Sequence, residues 1–369
     1  MLFIDNDTVR NLLTIEDSID SQDTAFRGLV DGASIHRPRI DMYVPTGRED
    51  DYYRWGTMEG TSKDLGVFAI RMKSDVVSWP EDANGNWTEE KYCVEPGTFC
   101  GLIFLFSTVN GEPLAIINDG HLQHMRVGAG AGLGVRYLAR KDAHVVGMIG
   151  SGGMARTYLQ AFCNERAITK VRVYSPNADH RESYAAEMSD VLNIEIEPVD
   201  DPEAAVRGAD IVSTCTDAMR PVLKGEWLEE GMHVTNLGGF ELDEAALSRA
   251  DVTIRQGIGG AKLEEDPRIQ YGRGHSPVAY VAGNDEEMAR LPEASLRMGM
   301  MGREHPSFTD LVGGSTPGRT SEADVTLYLN GGNQGLQFAA VGSVVFNKAK
   351  AQGLGHEVPT GLFLQDIRD

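Results

Sequence analysis

Basic residues are scarce in this sequence: 34 Lys and Arg stand against 55 Asp and Glu in 369 residues, a formal net charge of -21. A surface of that sign is repelled by duplex DNA and by anionic lipid, which argues against nucleic acid or membrane as the main partner. Long apolar runs are also missing. The best of them, Gly101 to Phe106, is far short of the ~20 residues that span a bilayer. The start, MLFIDNDTVRNLL, lacks the basic end and apolar core of a secretory signal. Cysteine is sparse and scattered, at Cys93, Cys100, Cys163 and Cys215, with no CxxC pair. These read as reduced thiols of a cytoplasmic protein. No HExxH occurs, and His121 and His124, spaced i, i+3, have no further ligands at metal spacing, so no metal is expected. What remains, 41% hydrophobic and 24% charged residues, is a globular mix of a length that suits two domains.

Residues 1–30 predict a short strand, LFID, and then an amphipathic helix with Asp5 or Asp7 as cap. Residues 37–125 predict antiparallel β structure, with apolar runs at Arg39–Val44, Val67–Lys73, Phe99–Thr108 and Leu114–Asn118 separated by turn residues. Asn110–Gly111 marks a hairpin. The polar stretch 80–97 predicts a surface loop or lid. From about residue 124, HMRVGAGAGLGVRYLAR predicts a helix whose four glycines would each cost ~1 kcal/mol unless they permit close packing. Strands and helices then alternate to residue 256, which predicts a doubly wound parallel sheet. A last helix is expected to close at Gly353. The fold class is therefore α/β, with a β-rich first third followed by a doubly wound parallel sheet.

Gly150-Ser151-Gly152-Gly153-Met154-Ala155 fits G-x-G-x-x-A, follows the apolar strand Val145–Ile149 and opens a helix. Gly150 permits the tight turn, Gly152 lets backbone approach a pyrophosphate, and Ala155 keeps helix and strand close. The helix start supplies free N–H groups and a partial positive charge. The next strand ends in Ser175-Pro176-Asn177, with Arg181 behind it. An NAD site usually carries Asp or Glu there. Ser175 and Asn177 as donors and Arg181 as a cation suit a 2′-phosphate instead, so NADP is favoured, with NAD as the alternative.

From about Arg39 to Gly355 the chain resembles the ornithine cyclodeaminase/mu-crystallin family. The resemblance rests on PRI at 38–40, FAIRMKSDV at 68–76, HMRVGAGAGLGVRYLAR at 124–140 and VVGMIGSGGMART at 145–157. It continues through ADIVSTCT at 209–216, GMHVTNLGG at 231–239, ELDEAALSRADV at 241–252 and PGRTSEADVTLY at 317–328. It implies a dinucleotide-binding Rossmann domain over 126–325 and a β-rich substrate and dimerisation domain over 1–125 closed by the C-terminal helix of 326–369, in a homodimer with the cofactor in the cleft between domains. It further implies that Arg39 and Arg126 hold the carboxylate of an amino or imino acid, that Lys73 serves as acid or base, and that Thr98 lies near the site. Motif and resemblance together make the expected cofactor site Thr98, Gly150, Ser151, Gly152, Gly153, Met154, Ser175, Asn177, Arg181, Thr214, Cys215, Thr216, Leu237 and Gly238. Arg binds a carboxylate in two-pronged fashion, and a Lys beside cations has a lowered pKa.

Departures from the family pattern bear on the reaction. Cyclodeaminases carry an aspartate just after the glycines of the fifth Rossmann strand. Here Phe240 holds that place, with Glu241 and Asp243 as candidate replacements, although Asp243 also suits a helix cap. The expectation is a nicotinamide-dependent oxidoreductase acting on a small α-amino or α-imino acid or a cyclic ketimine. The alternatives are an ammonia-releasing ornithine or lysine cyclodeaminase with recycled NAD, and a non-catalytic binding protein like mu-crystallin. Trp79, Trp87, His121 and His124 are candidates to shape the substrate pocket.

Overall fold

Strict alternation of inward and outward side chains builds the first sheet. The computed structural model describes residues 1–48, 50–81, 87–258, 260–261, 263, 266–293 and 305–367. The chain begins with β1 (Leu2–Ile4), α1 (Asn6–Leu12) and α2 (Ile15–Arg27). There follow β2 (Ser34–His36), β3 (Ile40–Pro45), β4 (Tyr52–Ser62), β5 (Val67–Ser78), β6 (Glu90–Cys93), β7 (Glu95–Pro96), β8 (Cys100–Ser107) and β9 (Pro113–Asn118). β3, β4, β5, β8 and β9 are antiparallel neighbours in that order. The 1–30 segment is two helices rather than one. Asp5 caps α1 by accepting from the Thr8 amide, and Thr14 with Asp17 forms a capping box that starts α2 anew.

Two stretches differ from the sequence expectation. β4 carries Tyr52, Arg54, Gly56, Met58, Gly60 and Ser62 on its buried face, a set too polar and too small to read as an apolar strand. The 80–97 stretch is not a loop throughout: β6 pairs with β5, Val76 opposite Tyr92; residues 82–86 lie outside the described residues.

After α3 (Gly120–Leu138) the alternation expected of the middle of the chain is present. β10 (Val145–Ile149), α4 (Gly153–Glu165), β11 (Lys170–Tyr174), α5 (Ala178–Leu192), β12 (Glu195–Pro198), α6 (Pro202–Val206) and β13 (Ile211–Thr214) come first. β14 (His233–Asn236), α7 (Glu244–Arg249) and β15 (Val252–Arg255) complete it. With β18 (Thr326–Leu329) they form a seven-stranded parallel sheet in the order β12-β11-β10-β13-β14-β18-β15. The order reverses between β10 and β13, the place where such sheets open a crevice at their C-terminal edge.

The expected domain boundaries move in two places. β18 belongs to the parallel sheet, so the C-terminal contribution to the first domain begins after Leu329. Between β15 and β18 the chain sends out the hairpin β16 (Ile269–Arg273) and β17 (Ser276–Val281), and β17 pairs in parallel with β3. A piece of the 126–325 segment thus extends the first sheet, because β3 otherwise presents unpaired edge groups. The C-terminal helix, Gln334–Gln352, ends at Gly353 with φ of 66° and lies across β4 and β5. Among the described residues no helix is long and apolar enough to cross a membrane.

The glycines of α3 are packing residues, as their number implied. A Cβ on Gly128 would stand 2.6 Å from the Thr157 backbone of α4, and one on Gly134 would stand 2.7 Å from the Tyr328 ring. Gly128→Ala therefore has to push α3 and α4 apart. Despite alanine's helix propensity, we expect a loss of about 1–3 kcal/mol in urea unfolding; an unchanged midpoint would contradict the close contact.

Candidate functional site

The first half of the site lies at the C-terminal edge of the parallel sheet. Gly150, φ 112°, turns the chain after β10, its amide donating to the Tyr174 carbonyl at 2.8 Å. Any side chain there would collide with the Cys215 carbonyl, 2.2 Å from a built Cβ, so the ends of β10 and β13 touch. Gly152 is the N-cap of α4, makes no side-chain cap, and has open space where a Cβ would point. The first turn of α4 holds no acidic residue. Uncapped amides beside open space at a switch point fit the pyrophosphate of a dinucleotide. Arg156 donates to the carbonyls of Ser151 at 2.9 Å and Gly152 at 3.2 Å, adding a cation to the turn that the motif did not name.

At the ribose position Ser175 is buried at the end of β11. Arg181 donates to its carbonyl at 3.0 Å and pairs with Asp200. Asn177 caps α5, its side-chain oxygen accepting from the His180 amide at 3.2 Å.

Glu241 alters the expected nicotinamide end. Its fully buried carboxylate accepts five hydrogen bonds: from Thr214 Oγ1 at 2.9 Å, Thr216 N at 2.7 Å and Oγ1 at 2.8 Å, Leu237 N at 2.8 Å and Gly238 N at 2.5 Å. Burial pushes its carboxyl up from the usual range, against the pull of these donors. Thr214, Thr216, Leu237 and Gly238, expected to face cofactor, direct these donors into the protein. Asp243 caps α7, as its position suggested, accepting from the Ala246 amide at 2.7 Å.

The second half lies on the buried face of the first sheet. Lys73 sits between Gly56 on β4 and Gly101 on β8. A Cβ on Gly56 would fall 2.1 Å from Asp41 Oδ1 and 2.8 Å from Lys73 Cε, and one on Gly101 would fall 2.1 Å from Asp119 Oδ1. The two glycines make room for charged side chains to lie across the strands. Lys73 Nζ is 3.8 Å from Asp41 and 4.0 Å from Asp75. Burial, with Arg39 and Arg54 beside it, holds the Lys73 ammonium well below the ordinary lysine range, against Asp41 and Asp75. Burial opposes ionisation of Asp41 too, but Arg39, Lys73 and Arg54 hold its carboxyl below the usual range.

Each neighbouring arginine has a carboxylate. Arg39 Nε donates to Asp41 at 2.9 Å. Arg54 bonds Asp75 at 2.9 Å and Glu89 at 2.6 Å, and Arg71 Nε bonds Asp119 at 2.6 Å. Arg126, on α3, is the exception. Among the described residues its side-chain hydrogen bonds are with amide oxygens, Gln123 at 3.0 and 3.2 Å and Gln337 at 2.8 Å. Its guanidinium and that of Arg71 lie 5.0 and 5.6 Å from the Phe338 ring centre. Burial and the nearby Arg71 push the Arg126 pKa down to about 9, which still leaves it charged at neutral pH. A buried cation that no carboxylate bonds is costly, and an anion beside it would lower that cost.

The structure thus brings Arg39, Lys73 and Arg126 into one buried charged cluster, and the sequence reading missed Arg71, Arg54 and Glu89. Arg71-x-Lys73-x-Asp75 shares one face of a strand, a signal open to period-two reading. Thr98 is not a member of the cluster: it is exposed in the turn before β8, donating to the Glu95 carbonyl at 2.8 Å. His124 packs against the first residue of α4, 2.9 Å from a Cβ built on Gly153, and so borders the phosphate turn rather than the substrate pocket. Burial and Arg10 push His121 down to about 4. Trp79 stands 6.0 and 5.7 Å from Tyr43 and Tyr52 and donates to Glu89 at 3.2 Å. Trp87 forms an isolated bridge with Glu81.

The same arrangement of domains occurs in known proteins. The chain is 28% identical over 350 residues to an uncharacterized cyclodeaminase of Sinorhizobium fredii, covering 92% of each. It is 26% identical over 363 residues to the alanine dehydrogenase of Archaeoglobus fulgidus, covering 97% of this chain and 98% of that one. The solved Δ1-pyrroline-2-carboxylate reductase of Thermococcus litoralis, in complex with NADH and L-proline, superposes with a TM-score of 0.73 at 25% identity. That match covers 97% of this chain and 100% of the other. The model of one family matches residues 86–353, and the chain belongs to that family, the ornithine cyclodeaminase/mu-crystallin family.

Proposed function

We propose that the protein is an NAD(P)-dependent oxidoreductase that interconverts a small α-amino acid with its α-imino acid, or reduces a cyclic ketimine. The observation that carries this reading is Arg126, the buried guanidinium held by amides alone within a cluster whose other arginines are matched. A bound nicotinamide cofactor supplies the hydride carrier. Arg126, with Arg39 at the same cluster, anchors the substrate carboxylate and fixes the α-carbon. Lys73, desolvated between Gly56 and Gly101, holds the proton exchanged with the substrate nitrogen. The named activities of the Archaeoglobus and Thermococcus relatives support this class. Against the cyclodeaminase reaction stands Glu241: sealed by five donors, its carboxylate is not free to handle a substrate's second amino group.

For the cofactor, we favour NADP. No carboxylate ends β11, and Arg181 stands at the Ser175 carbonyl. Its partner Asp200 is highly exposed, so exchanging that pairing for a phosphate costs little. A homodimer fits the outer face of the β17–β3 pair, where the neighbours Met42 and Tyr280 are both exposed, with Val44 beside them.

Purified protein is expected to oxidise NADPH with Δ1-pyrroline-2-carboxylate, or with pyruvate and ammonia. Ornithine giving proline and ammonia with no net change in cofactor absorbance would overturn the reading. Lys73→Ala should lower kcat by about 10³-fold or more, in the range of lost acid–base catalysis, while NADPH affinity holds. Arg181→Gln should raise KM for NADPH about tenfold and leave that for NADH nearly unchanged.

The pH profile has a definite sign. In the reductive direction Lys73 must be protonated, so kcat/KM falls as pH rises through its pKa. Asp75 favours the charged lysine. Asp75→Asn should therefore move that falling limb to lower pH by about 1 unit, the low end of a close charge's effect. A limb that stays in place would detach it from Lys73.

A further inference from the structure

The amides around Arg126 form a linked set. Gln337 is fully buried; its Oε1 accepts from Arg126 Nη1 at 2.8 Å, and its Nε2 donates to Gln22 Oε1 at 2.7 Å and to the Arg126 carbonyl at 3.1 Å. Gln22, also fully buried, donates to the same carbonyl at 3.0 Å. Gln123, one turn before Arg126 on α3, offers its Oε1 to both Nε and Nη2. Among the described residues, α3 and the C-terminal helix thus bring only neutral acceptors to this guanidinium, braced by Gln22 of α2. Asp119, a carboxylate whose charge acts on Arg126, is itself bonded to Arg71.

Neutral acceptors are a choice with consequences. A glutamate at position 123 would give the same oxygen geometry and a stronger bond to Arg126. It would also neutralise the cation and put a negative charge where an anionic ligand must enter. We propose that Gln123 and Gln337 are specificity-determining positioning residues: they hold Arg126 in place while leaving its charge unmatched, which reserves the site for a substrate bearing an α-carboxylate. This rests on the reading of Arg126 as carboxylate anchor and says what makes it one. The discrimination is negative as well as positive, because an uncharged analogue would leave a buried cation unpaired.

Gln123 gives the cleaner test, since its side chain bonds Arg126, whereas Gln337 also donates twice. The probes are pyrrole-2-carboxylate, a planar analogue of a cyclic imino acid, and pyrrole-2-carboxamide. Binding of each to the protein–NADPH complex is measured by calorimetry for the wild type, Gln123→Glu, Gln123→Met and Arg126→Gln. Gln123→Glu should weaken the carboxylate about 50-fold and leave the carboxamide within about threefold. Gln123→Met, which removes the acceptor without adding charge, should weaken the carboxylate less than about fivefold. A role in structure alone predicts the reverse order, with Glu tolerated and Met harmful, and that result overturns the inference. Equal loss of both probes in Gln123→Glu also overturns it, since the effect would not be one of charge. If Arg126→Gln binds the carboxylate like the wild type, or the wild type does not bind it at millimolar concentration, the anchor reading fails and the inference with it. If Arg126→Gln loses binding while Gln123→Glu keeps it, the inference alone fails.

Discussion

Charges taken out of water have to be matched, and that requirement organises the inner face of the first sheet. Across β3, β4, β5 and β8 runs one row, Asp41, Gly56, Lys73 and Gly101, with Asp119 beyond Gly101. The next row holds Tyr43, Arg54 and Asp75. The glycines are a condition of the row: any Cβ at Gly56 or Gly101 would occupy the space of a carboxylate. Tyr43 bonds Ser276 of the hairpin at 2.7 Å, and Ser276 in turn donates to Asp41. Glu89, from the stretch after β5, bonds Arg54 and accepts from the His275 amide at 3.0 Å. Distant segments are thus held in place by their share in neutralising the sheet. Breaking one pair of this kind strands its partner's charge, which is costlier than losing the bond.

The two halves of the site are joined by α3. Its glycines let it lie against α4, and within three residues it presents His124 to the start of α4 and Arg126 to the charged cluster. Asn330 ties the parallel sheet to the same place, bonding the Val127 carbonyl at 3.1 Å and the Tyr158 hydroxyl at 2.6 Å. The spacing between the Gly152 turn and Arg126 is therefore fixed by the close packing of α3 on α4.

The parallel sheet, the phosphate turn, the glycine helix and the end of the last helix were all legible in the sequence, because each rests on local pattern: short apolar runs, G-x-G-x-x-A, Gly353 past a helix. β4 was hidden because its inner face is built for charge, with Arg54, Gly56 and Gly60 where apolar residues would mark a strand. Gly60 is small because the C-terminal helix lies on it, Leu336 N being 2.4 Å from a built Cβ. The hairpin's place in the first sheet was invisible for another reason: β17 pairs with β3, Ala279 opposite Asp41, from far along the chain, and nothing local encodes it. Glu241 was seen as a candidate but its direction was not, since one residue's burial depends on several strand ends at once.

The excess of acidic residues gains a sharper meaning from this. Among the described residues of the buried cluster, Arg39, Arg54, Arg71 and Lys73 stand against Asp41, Asp75, Glu89 and Asp119, and Arg126 is bonded by amides instead. The interior is therefore not a generally basic cavity under an acidic coat; it is a nearly neutral lattice with one cation left unmatched by its neighbours. On the proposed function, selectivity for an acid follows from a single position rather than from a field. Added salt, which screens the outer surface over about 10 Å at 0.1 M, reaches such a buried position weakly. In that proposal the affinity for the acid is set where solvent ions do not compete, while the acidic surface acts only on the approach.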